Sequence, residues 1–315
     1  MGLITVTGQT GCRADEVARI VALRLGFHLV TETRIQSAIE NEFAGSIPDK
    51  AYPDVLASIL AHLAVEEHLI VVAEGAESLA HHFPGALRVL VSAPETARVG
   101  RIMLDQRLER PAAKEQLKEI ETHRRQVRRR RFGRGTPPAE AFDMMLNTQS
   151  MDAEQLAQMI EAAAHATRLP DFDYLSAEAE AQLQFQLRLR LAKHGIAPPG
   201  TEALRKKGFA HGSEEIFANL LDFYRIPWEY EPRSFPVEWD EQGNVTVAFT
   251  PDFYLPEVDI YVELTTMKQS LVTKKNRKVK RLREIYPHVN IQVFYLKDFQ
   301  NLIFKYGLAE RLVTA

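Results

Sequence analysis

Short apolar runs alternate with helical repeats along the first half of the chain. The pattern predicts strands at residues 3–7, 69–73, 87–93 and 142–148. Between the first two, apolar residues recur at helical spacing from Val17 to Leu25 and stop at Gly26. Further helices are predicted after Pro94 and at 152–164. Continuous apolar runs of this kind suit parallel strands buried on both faces, so this half is expected to be an α/β domain with a parallel sheet.

Two apolar runs in the second half each carry one acidic residue. Asp252 opens the first run, and Glu263 lies eleven positions on, inside the second. A helix is predicted before them from Ser213, its expected N-cap, and a closing strand at 291–296. We therefore expect residues 205–310 to form a mixed sheet with the two acids on adjacent strands.

Glu214 lies on the apolar face of the helix that begins at Ser213. It precedes Phe217 by three positions and Leu221 by seven. A carboxylate on a buried face is costly unless it is paired or bound to a metal. An acid in a first helical turn also favours the helix dipole. Two roles for Glu214 therefore stay open: support of a metal site, and capping of the helix.

The connector between the halves has an ambiguous pattern. Residues 183–191 alternate strictly, which favours a strand, but their Leu, Gln and Arg content favours a helix. We predict a helix whose broad apolar face is covered by the C-terminal half or by a second chain; the second case would make a homodimer through 176–194. The Pro-Pro-Gly stretch that follows is the clearest linker. The predicted domains are 1–168 and 201–315, joined by 169–200.

Composition places the chain among ordinary globular proteins. Of its 315 residues, 45% are hydrophobic and 26% are charged, which argues against disorder. No apolar run reaches the length of a membrane span, and the N-terminus carries no secretory pattern. Cys12 is the only cysteine, which excludes internal disulfides and a cysteine-built zinc site. We expect a cytoplasmic protein with no membrane partner.

The net charge of −3 conceals two basic runs. They are residues 124–134 and 274–283. A single basic run is most often a solvated helix face. Two such runs beside candidate phosphate sites indicate a polyanionic partner, and nucleic acid is the expected one.

The acids of the second half form a candidate metal site. If their runs pair as neighbouring strands, Asp252 and Glu263 converge at one end of the sheet. Two carboxylates near lysines suit Mg²⁺ or Mn²⁺ and phosphodiester chemistry. The alternative is a turn aspartate and an edge-strand glutamate.

The order of elements in this half resembles the PD-(D/E)XK nuclease superfamily. The resemblance rests on Glu214, the Pro-Asp pair at Asp252, and Glu263, and it covers about residues 205–310. It implies a restriction-endonuclease-like fold in which Asp252, Glu263 and the Leu264 carbonyl hold a metal ion. Glu214 is then expected to support that site.

One position departs from this family's pattern. A lysine is expected two positions after the second acid, where this chain has Thr265. Some members of the superfamily supply the lysine from the following helix. The resemblance therefore implies a catalytic role for Lys275 or Lys278, with Lys268 as a third candidate.

A glycine turn follows the first strand of the chain. Gly8 and Gly11 stand between a strand and a helix, where backbone N–H groups can cradle a phosphate. The P-loop pattern ends in glycine, lysine and serine or threonine, but this chain has Arg13, Ala14 and Asp15 there. We expect weak nucleotide binding at this loop, and a purely structural turn is the alternative.

The succession over residues 1–168 resembles the cytidylate kinase-like branch of the nucleoside monophosphate kinases. The matching pieces are the opening strand, the turn at Glu74, the strand end before Arg98, the arginine-rich segment and the strand at 142–148. The resemblance implies a P-loop kinase fold that binds ATP. The binding residues that it implies are Gly8, Gly11, Cys12, Arg13, Arg124 and Arg128.

These patterns predict a metal-dependent nuclease with a kinase-like domain that binds a nucleotide. The alternative is a cytidylate-type kinase with an accessory nucleic-acid-binding domain. A third hypothesis is a non-catalytic binding protein.

Overall fold

The chain divides into two units, Met1–Leu187 (unit 1) and Arg188–Ala315 (unit 2). The structure, a computed structural model, describes residues 1–43, 45–83, 85–196, 198, 208–265 and 269–295. Most of the predicted linker lies outside these ranges. No helix within them is long and apolar enough to cross a membrane.

Unit 1 is built on a five-stranded, all-parallel sheet with strand order β2-β3-β1-β4-β5. Its strands are β1 (Gly2–Gly8), β2 (His28–Thr31), β3 (Leu69–Val72), β4 (Gly85–Ser92) and β5 (Met144–Asn147). The central strand β1 is buried from residue 2 to residue 7, as an apolar strand covered on both faces must be. The α/β class and the predicted strands are confirmed.

Helices connect these strands. They are α1 (Ala14–Leu25), α2 (Glu32–Glu42), α3 (Tyr52–Leu63), α4 (Glu95–Gln106), α5 (Arg110–Phe132) and α6 (Ala153–Ala166). Short 3₁₀ turns lie at Ala76–His82, Ala139–Ala141 and Leu169–Asp171. The sheet, α1 and α6 share one core that includes Ile4, Val17, Val89, Leu156 and Ile160.

Two helix ends in unit 1 show how the sequence sets the boundaries. Gly26 adopts a left-handed conformation and its N–H donates to the Ala22 carbonyl, so α1 ends where predicted. The helical segment predicted after Pro94 is two helices, because Arg107, with a φ of 55°, turns the chain at the end of α4.

The connector is a helix, α7 (Ala177–Lys193), which confirms that prediction. It begins in unit 1 and ends in unit 2. In unit 1, Gln184 is buried and bonds to Ser58 through both its amide oxygen and its amide nitrogen. In unit 2, the carbonyl of Ala192 accepts a hydrogen bond from Asn219. The predicted homodimer through this segment stays a prediction.

Unit 2 contains a mixed sheet with strand order β11-β10-β9-β6 and a separate hairpin, β7–β8. Strands β10 and β11 are parallel, while β9 is antiparallel to both β10 and β6. The elements are α8 (Gly212–Phe223), β6 (Glu229–Tyr230), β7 (Phe235–Trp239), β8 (Val245–Phe249), β9 (Phe253–Leu255), β10 (Ile260–Thr265), α9 (Gln269–Ile285) and β11 (Ile291–Tyr295). The mixed sheet was expected, but the hairpin was not.

The start of α8 differs from the prediction. His211, not Ser213, is the N-cap, and it forms a capping box with Glu214. The prediction failed because serine is a common cap, whereas here the Glu214 side chain reaches back to the N-cap backbone.

Candidate functional site

The loop after β1 turns tightly into α1. The Cys12 N–H donates to the Gln9 carbonyl at 3.1 Å, and Arg13 is left-handed with a φ of 66°. A side chain at Gly8 would place its Cβ 2.3 Å from the Cβ of Ala14. Only glycine therefore fits at the start of the loop, which leads directly onto the N-terminus of α1.

A cleft of about 860 Å³ opens beside this loop. It is bounded by the loop, the first turn of α1, the residues after β3 and the middle of α5. Its polar lining includes Asp15, Glu32, Glu74, His123 and Arg124. Because the positive end of α1 and an arginine-rich helix face the same space, the cleft suits an anionic ligand.

Arg124 connects α5 to the loop. Its guanidinium donates to the Gly8 carbonyl at 2.9 Å and to Thr10 Oγ1 at 3.0 Å. It also bonds to a carboxylate oxygen of Glu74 at 2.5 Å. The structure thus brings together Gly8 and Arg124, two of the predicted nucleotide-binding residues, although they lie 116 positions apart.

Arg128, one helical turn further along α5, is buried between two carboxylates. It bonds to Glu74 at 2.7 Å and also to Glu77. The other oxygen of Glu77 accepts a hydrogen bond from Thr7 of β1 at 3.0 Å. Burial opposes the charge of Arg128, but the two carboxylates outweigh this and raise its pKa. Arg128 therefore fixes α5 to the sheet rather than facing a ligand.

The pKa of Glu74 is lowered overall. Burial alone would raise it, but the guanidinium groups of Arg124 and Arg128 stabilise the charged form more strongly. Glu74 therefore stays ionised at neutral pH, at the edge of the cleft.

The remaining predicted residues of this site lie in the loop itself. Cys12 is buried, and burial raises the pKa of its thiol. Gly11 has a φ of 80°, and a Cβ there would lie 3.0 Å from the Arg98 carbonyl oxygen. Arg13 pairs with Glu16 of its own helix at 2.6 Å, so its charge is partly neutralised.

Glu32 and Glu74 were not among the binding residues predicted for this site. Glu74 lies two residues beyond the end of β3, and Glu32 directly follows β2. Residues that follow the carboxyl ends of parallel strands commonly meet at a ligand site, and that signal could have indicated both.

In unit 2, Asp252, Glu263 and Lys275 lie in contact. Asp252 precedes β9, and Glu263 lies on the adjacent antiparallel strand β10. Lys275 Nζ lies 2.6 Å from Glu263 Oε1 and 3.8 Å from Asp252 Oδ2, and it donates to the Leu264 carbonyl at 2.8 Å. The Leu264 N–H donates to Asp252 Oδ2 at 2.6 Å. The two acids and one of the candidate lysines are thus placed together.

Burial acts on all three charged groups of this cluster, and it decides the direction of the pKa shift for the two acids but not for Lys275. Burial and the neighbouring Asp252 raise the pKa of Glu263 to about 7, and burial also raises the pKa of Asp252. Burial opposes the charge of Lys275, but the two carboxylates outweigh it and raise its pKa. The ammonium group of Lys275 is therefore the cation that this cluster holds.

The other predicted residues of unit 2 lie apart from this cluster or cap a helix. Glu214 Oε2 accepts hydrogen bonds from the N–H groups of Ala210 at 2.9 Å and His211 at 3.2 Å, and from the Tyr230 hydroxyl at 2.7 Å. Glu214 therefore caps the helix. Its charge also acts on Asp252 and Lys275, and its support of the predicted site stays a prediction. Lys278 is exposed on α9, and Lys268 lies outside the described residues.

The predicted metal site of unit 2 has few ligands. Within the described ranges, no group of three or more His, Cys, Asp or Glu side chains could hold a metal ion. Asp252 and Glu263 are the predicted side-chain ligands, and the third predicted ligand, the Leu264 carbonyl, accepts a hydrogen bond from Lys275.

The chain has recognisable relatives among kinases. Residues 36–150 match the cytidylate kinase-like family. A cytidylate kinase from Methanothermobacter thermautotrophicus is 28% identical over 160 residues, which are 48% of this chain and 98% of that protein.

Solved structures resemble about half of the chain. An uncharacterised protein from Eubacterium ventriosum has a TM-score of 0.46 and 14% identity, over 53% of this chain and 99% of its own. Shikimate kinase from Acinetobacter baumannii, in complex with shikimate, has a TM-score of 0.35 and 15% identity, over 54% of this chain and 96% of that chain. Both TM-scores lie below 0.5, so neither likeness informs the function.

The prediction of a nuclease as the main function is wrong. The family match and the cytidylate kinase relative both favour a kinase-like, nucleotide-binding domain, which the sequence analysis held as the alternative. The nuclease resemblance of residues 201–315, with its metal, gains no support from these relatives. The nuclease prediction gave too much weight to Asp252 and Glu263, which both form ion pairs with Lys275 in the structure.

Proposed function

We propose that unit 1 is a kinase-type domain that binds a nucleoside triphosphate, with the phosphates against the loop from Gly8 to Arg13. The observation that carries the proposal is the position of Arg124, whose guanidinium lies over the loop beside the N-terminus of α1. The family match of residues 36–150, which includes Arg124 but begins after the loop, supports the kinase-type domain.

Arg124 can replace the cation that the loop itself lacks. The loop has Ala14 at the position of the P-loop lysine. Phosphoryl transfer depends almost entirely on positioning and electrostatic stabilisation, so a cation of different origin can serve if it reaches the phosphates. A guanidinium also binds phosphate oxygens in bidentate fashion, which a lysine cannot do.

Kinases of this kind use Mg²⁺, and the cleft offers ligands for it. Asp15 and Glu32 both line the cleft beside the loop. Mg²⁺ commonly takes one or two carboxylates and completes its shell with phosphate oxygens and water. When bound, the ion would neutralise charge on the phosphates. Asp15 and Glu32 are the residues of this chain that would hold it, while Arg124 orients the phosphates.

The proposal is tested by isothermal titration of ATP and CMP with magnesium. Arg124→Met should weaken ATP binding about tenfold or more, because a charge-assisted hydrogen bond is worth about 1.5–3 kcal/mol. Arg129→Met is the matched control, since Arg129 is an exposed arginine on the same helix that does not line the cleft.

Equal ATP affinity in the wild type and Arg124→Met would refute the proposed site. A coupled assay that adds CMP then asks whether ADP is released, which would establish a cytidylate-type acceptor.

For unit 2, we propose binding of nucleic acid by the exposed face of α9. The supporting observation is a row of exposed cations, Arg277, Lys278, Lys280 and Arg281, on that helix. Such a row follows a phosphate backbone without reading its sequence.

A further inference from the structure

The two arginines that α5 presents to the residues after β3 are neutralised by carboxylates. Arg124 pairs with Glu74, and Arg128 pairs with both Glu74 and Glu77. The four side chains carry two positive and two negative charges. The part of the cleft that should attract phosphate therefore presents no net positive charge from this cluster.

The two halves of the cluster differ in burial. The side chains of Arg128 and Glu77 are 5% and 1% exposed, whereas those of Arg124 and Glu74 are 36% and 21% exposed. Separating the inner pair, Arg128 and Glu77, would leave a buried charge without its partner, which is strongly destabilising. Separating the outer pair, Arg124 and Glu74, exposes both groups to water or to a ligand in the cleft, so it destabilises the protein much less. The inner pair is a fixed anchor, and the outer pair is the one that can exchange.

A carboxylate and a phosphate are alternative acceptors for the same guanidinium. Resting on the nucleotide site proposed above, we propose that Glu74 is a built-in competitor of the ligand: it holds Arg124 in the empty cleft and is displaced from it by a nucleotide phosphate. Arg128 remains bonded to Glu77 and to the second oxygen of Glu74, so α5 stays anchored while Arg124 changes partner. Glu74 thereby sets how tightly the cleft binds phosphate.

The test is titration of inorganic pyrophosphate and of ATP into the wild type and Glu74→Gln. Glutamine keeps the size of the side chain but removes the competing charge, so both probes should bind about tenfold more tightly. Asp105→Asn is the matched control. Asp105 also lines the cleft, and this change removes the same charge, but Asp105 pairs with Arg101 of its own helix and not with Arg124.

Equal affinity in the wild type and Glu74→Gln would overturn the inference while leaving the nucleotide site intact. An equal gain in Asp105→Asn would overturn it as well, since the effect would then come from the general loss of negative charge in the cleft. Absence of binding to all three proteins at millimolar ligand would instead remove the nucleotide site itself.

Circular dichroism shows whether Glu74→Gln is folded. If it is not, Glu74→Asp carries the test, because the shorter carboxylate keeps its charge but withdraws from Arg124. Tighter binding of pyrophosphate to Glu74→Asp supports the exchange, and unchanged binding overturns it.

Discussion

At the scale of single residues, two glutamates show how neighbours decide the charge of a carboxylate. Glu74 faces two guanidinium groups, which lower its pKa against the effect of burial. Glu263 is buried and faces one ammonium group and one carboxylate, and its pKa is raised to about 7. Both residues end or interrupt an apolar run in the sequence, so the sequence alone does not separate the two cases. The two cases differ in the partners that distant helices supply: two arginines of α5 for Glu74, and Lys275 of α9 for Glu263.

The raised pKa of Glu263 predicts a pH dependence of stability in unit 2. Because its pKa is higher in the folded state than its ordinary 4.5, the folded state binds more protons between pH 4.5 and about 7. The unfolding free energy of the wild type therefore falls as pH rises through this window. Glu263→Gln removes this dependence. Relative to the wild type, its stability should increase with pH by on the order of 1 kcal/mol per unit.

The measurement is urea unfolding followed by tryptophan fluorescence at several pH values. Both tryptophans of the chain, Trp228 and Trp239, lie in unit 2, so the signal reports that unit alone. Glu229→Gln, an exposed glutamate of the same sheet, is the control. Parallel pH profiles for the wild type and Glu263→Gln would show that Glu263 does not titrate in this window.

At the scale of elements, α5 rests directly on the turn after β3. Gly75 has a φ of 85°, and a Cβ at this position would lie 2.1 Å from the ring of Phe132. The ring of Phe132 also lies edge-on to Tyr52 of α3. This contact lies next to the Arg128 anchor, and together they determine where Arg124 reaches the loop.

Gly75→Ala should therefore lower the stability of unit 1 by about 3 kcal/mol, from left-handed strain plus the clash with Phe132. Gly26→Ala is the matched control: its φ of 67° is similar, but nothing lies within 4 Å of its Cβ position. That variant should lose only about 1 kcal/mol. Far-UV circular dichroism during urea unfolding measures both. Equal losses would mean that the Phe132 contact adds nothing.

Much of the fold was predictable at this scale, and the reasons are local. Continuous apolar runs predicted β1, β3, β4 and β5, and the glycine after Leu25 predicted the end of α1. The hairpin β7–β8 was missed although its strands are longer than β3 and β5, because five of their ten residues are exposed and no continuous buried run marks them. The N-cap of α8 was misplaced because it depends on how Glu214 reaches back, which propensity does not encode.

At the scale of the whole molecule, two basic runs that look alike in sequence differ in structure. In the run on α5, Arg124, Arg128 and Arg131 are paired with carboxylates. On α9, no carboxylate among the described residues lies within ion-pair distance of Arg277, Lys278 or Lys280. The sequence predicted a polyanionic partner from both runs. Among the described residues, Arg129 of α5 also has no carboxylate partner, but α9 has three such cations, so α9 is the better candidate for a polyanionic partner.

This difference predicts that nucleic acid binding, as proposed for unit 2, depends on α9 and on salt. Replacing Arg277, Lys278 and Lys280 together by glutamine should weaken binding of a labelled duplex, measured by fluorescence anisotropy. Each lost phosphate contact lowers the slope of log K against log salt by about 0.9, so the slope should fall by about three.

The control removes three exposed lysines of unit 1, Lys50, Lys114 and Lys118, in the same way. It changes the net charge by the same amount, so a response to total charge would weaken binding equally in both triple variants. A response that belongs to α9 alone would leave the slope of the control at the wild-type value. Equal slopes in the wild type and the α9 variant would exclude this helix as the nucleic-acid surface, because counterion release counts only the phosphates that the protein neutralises.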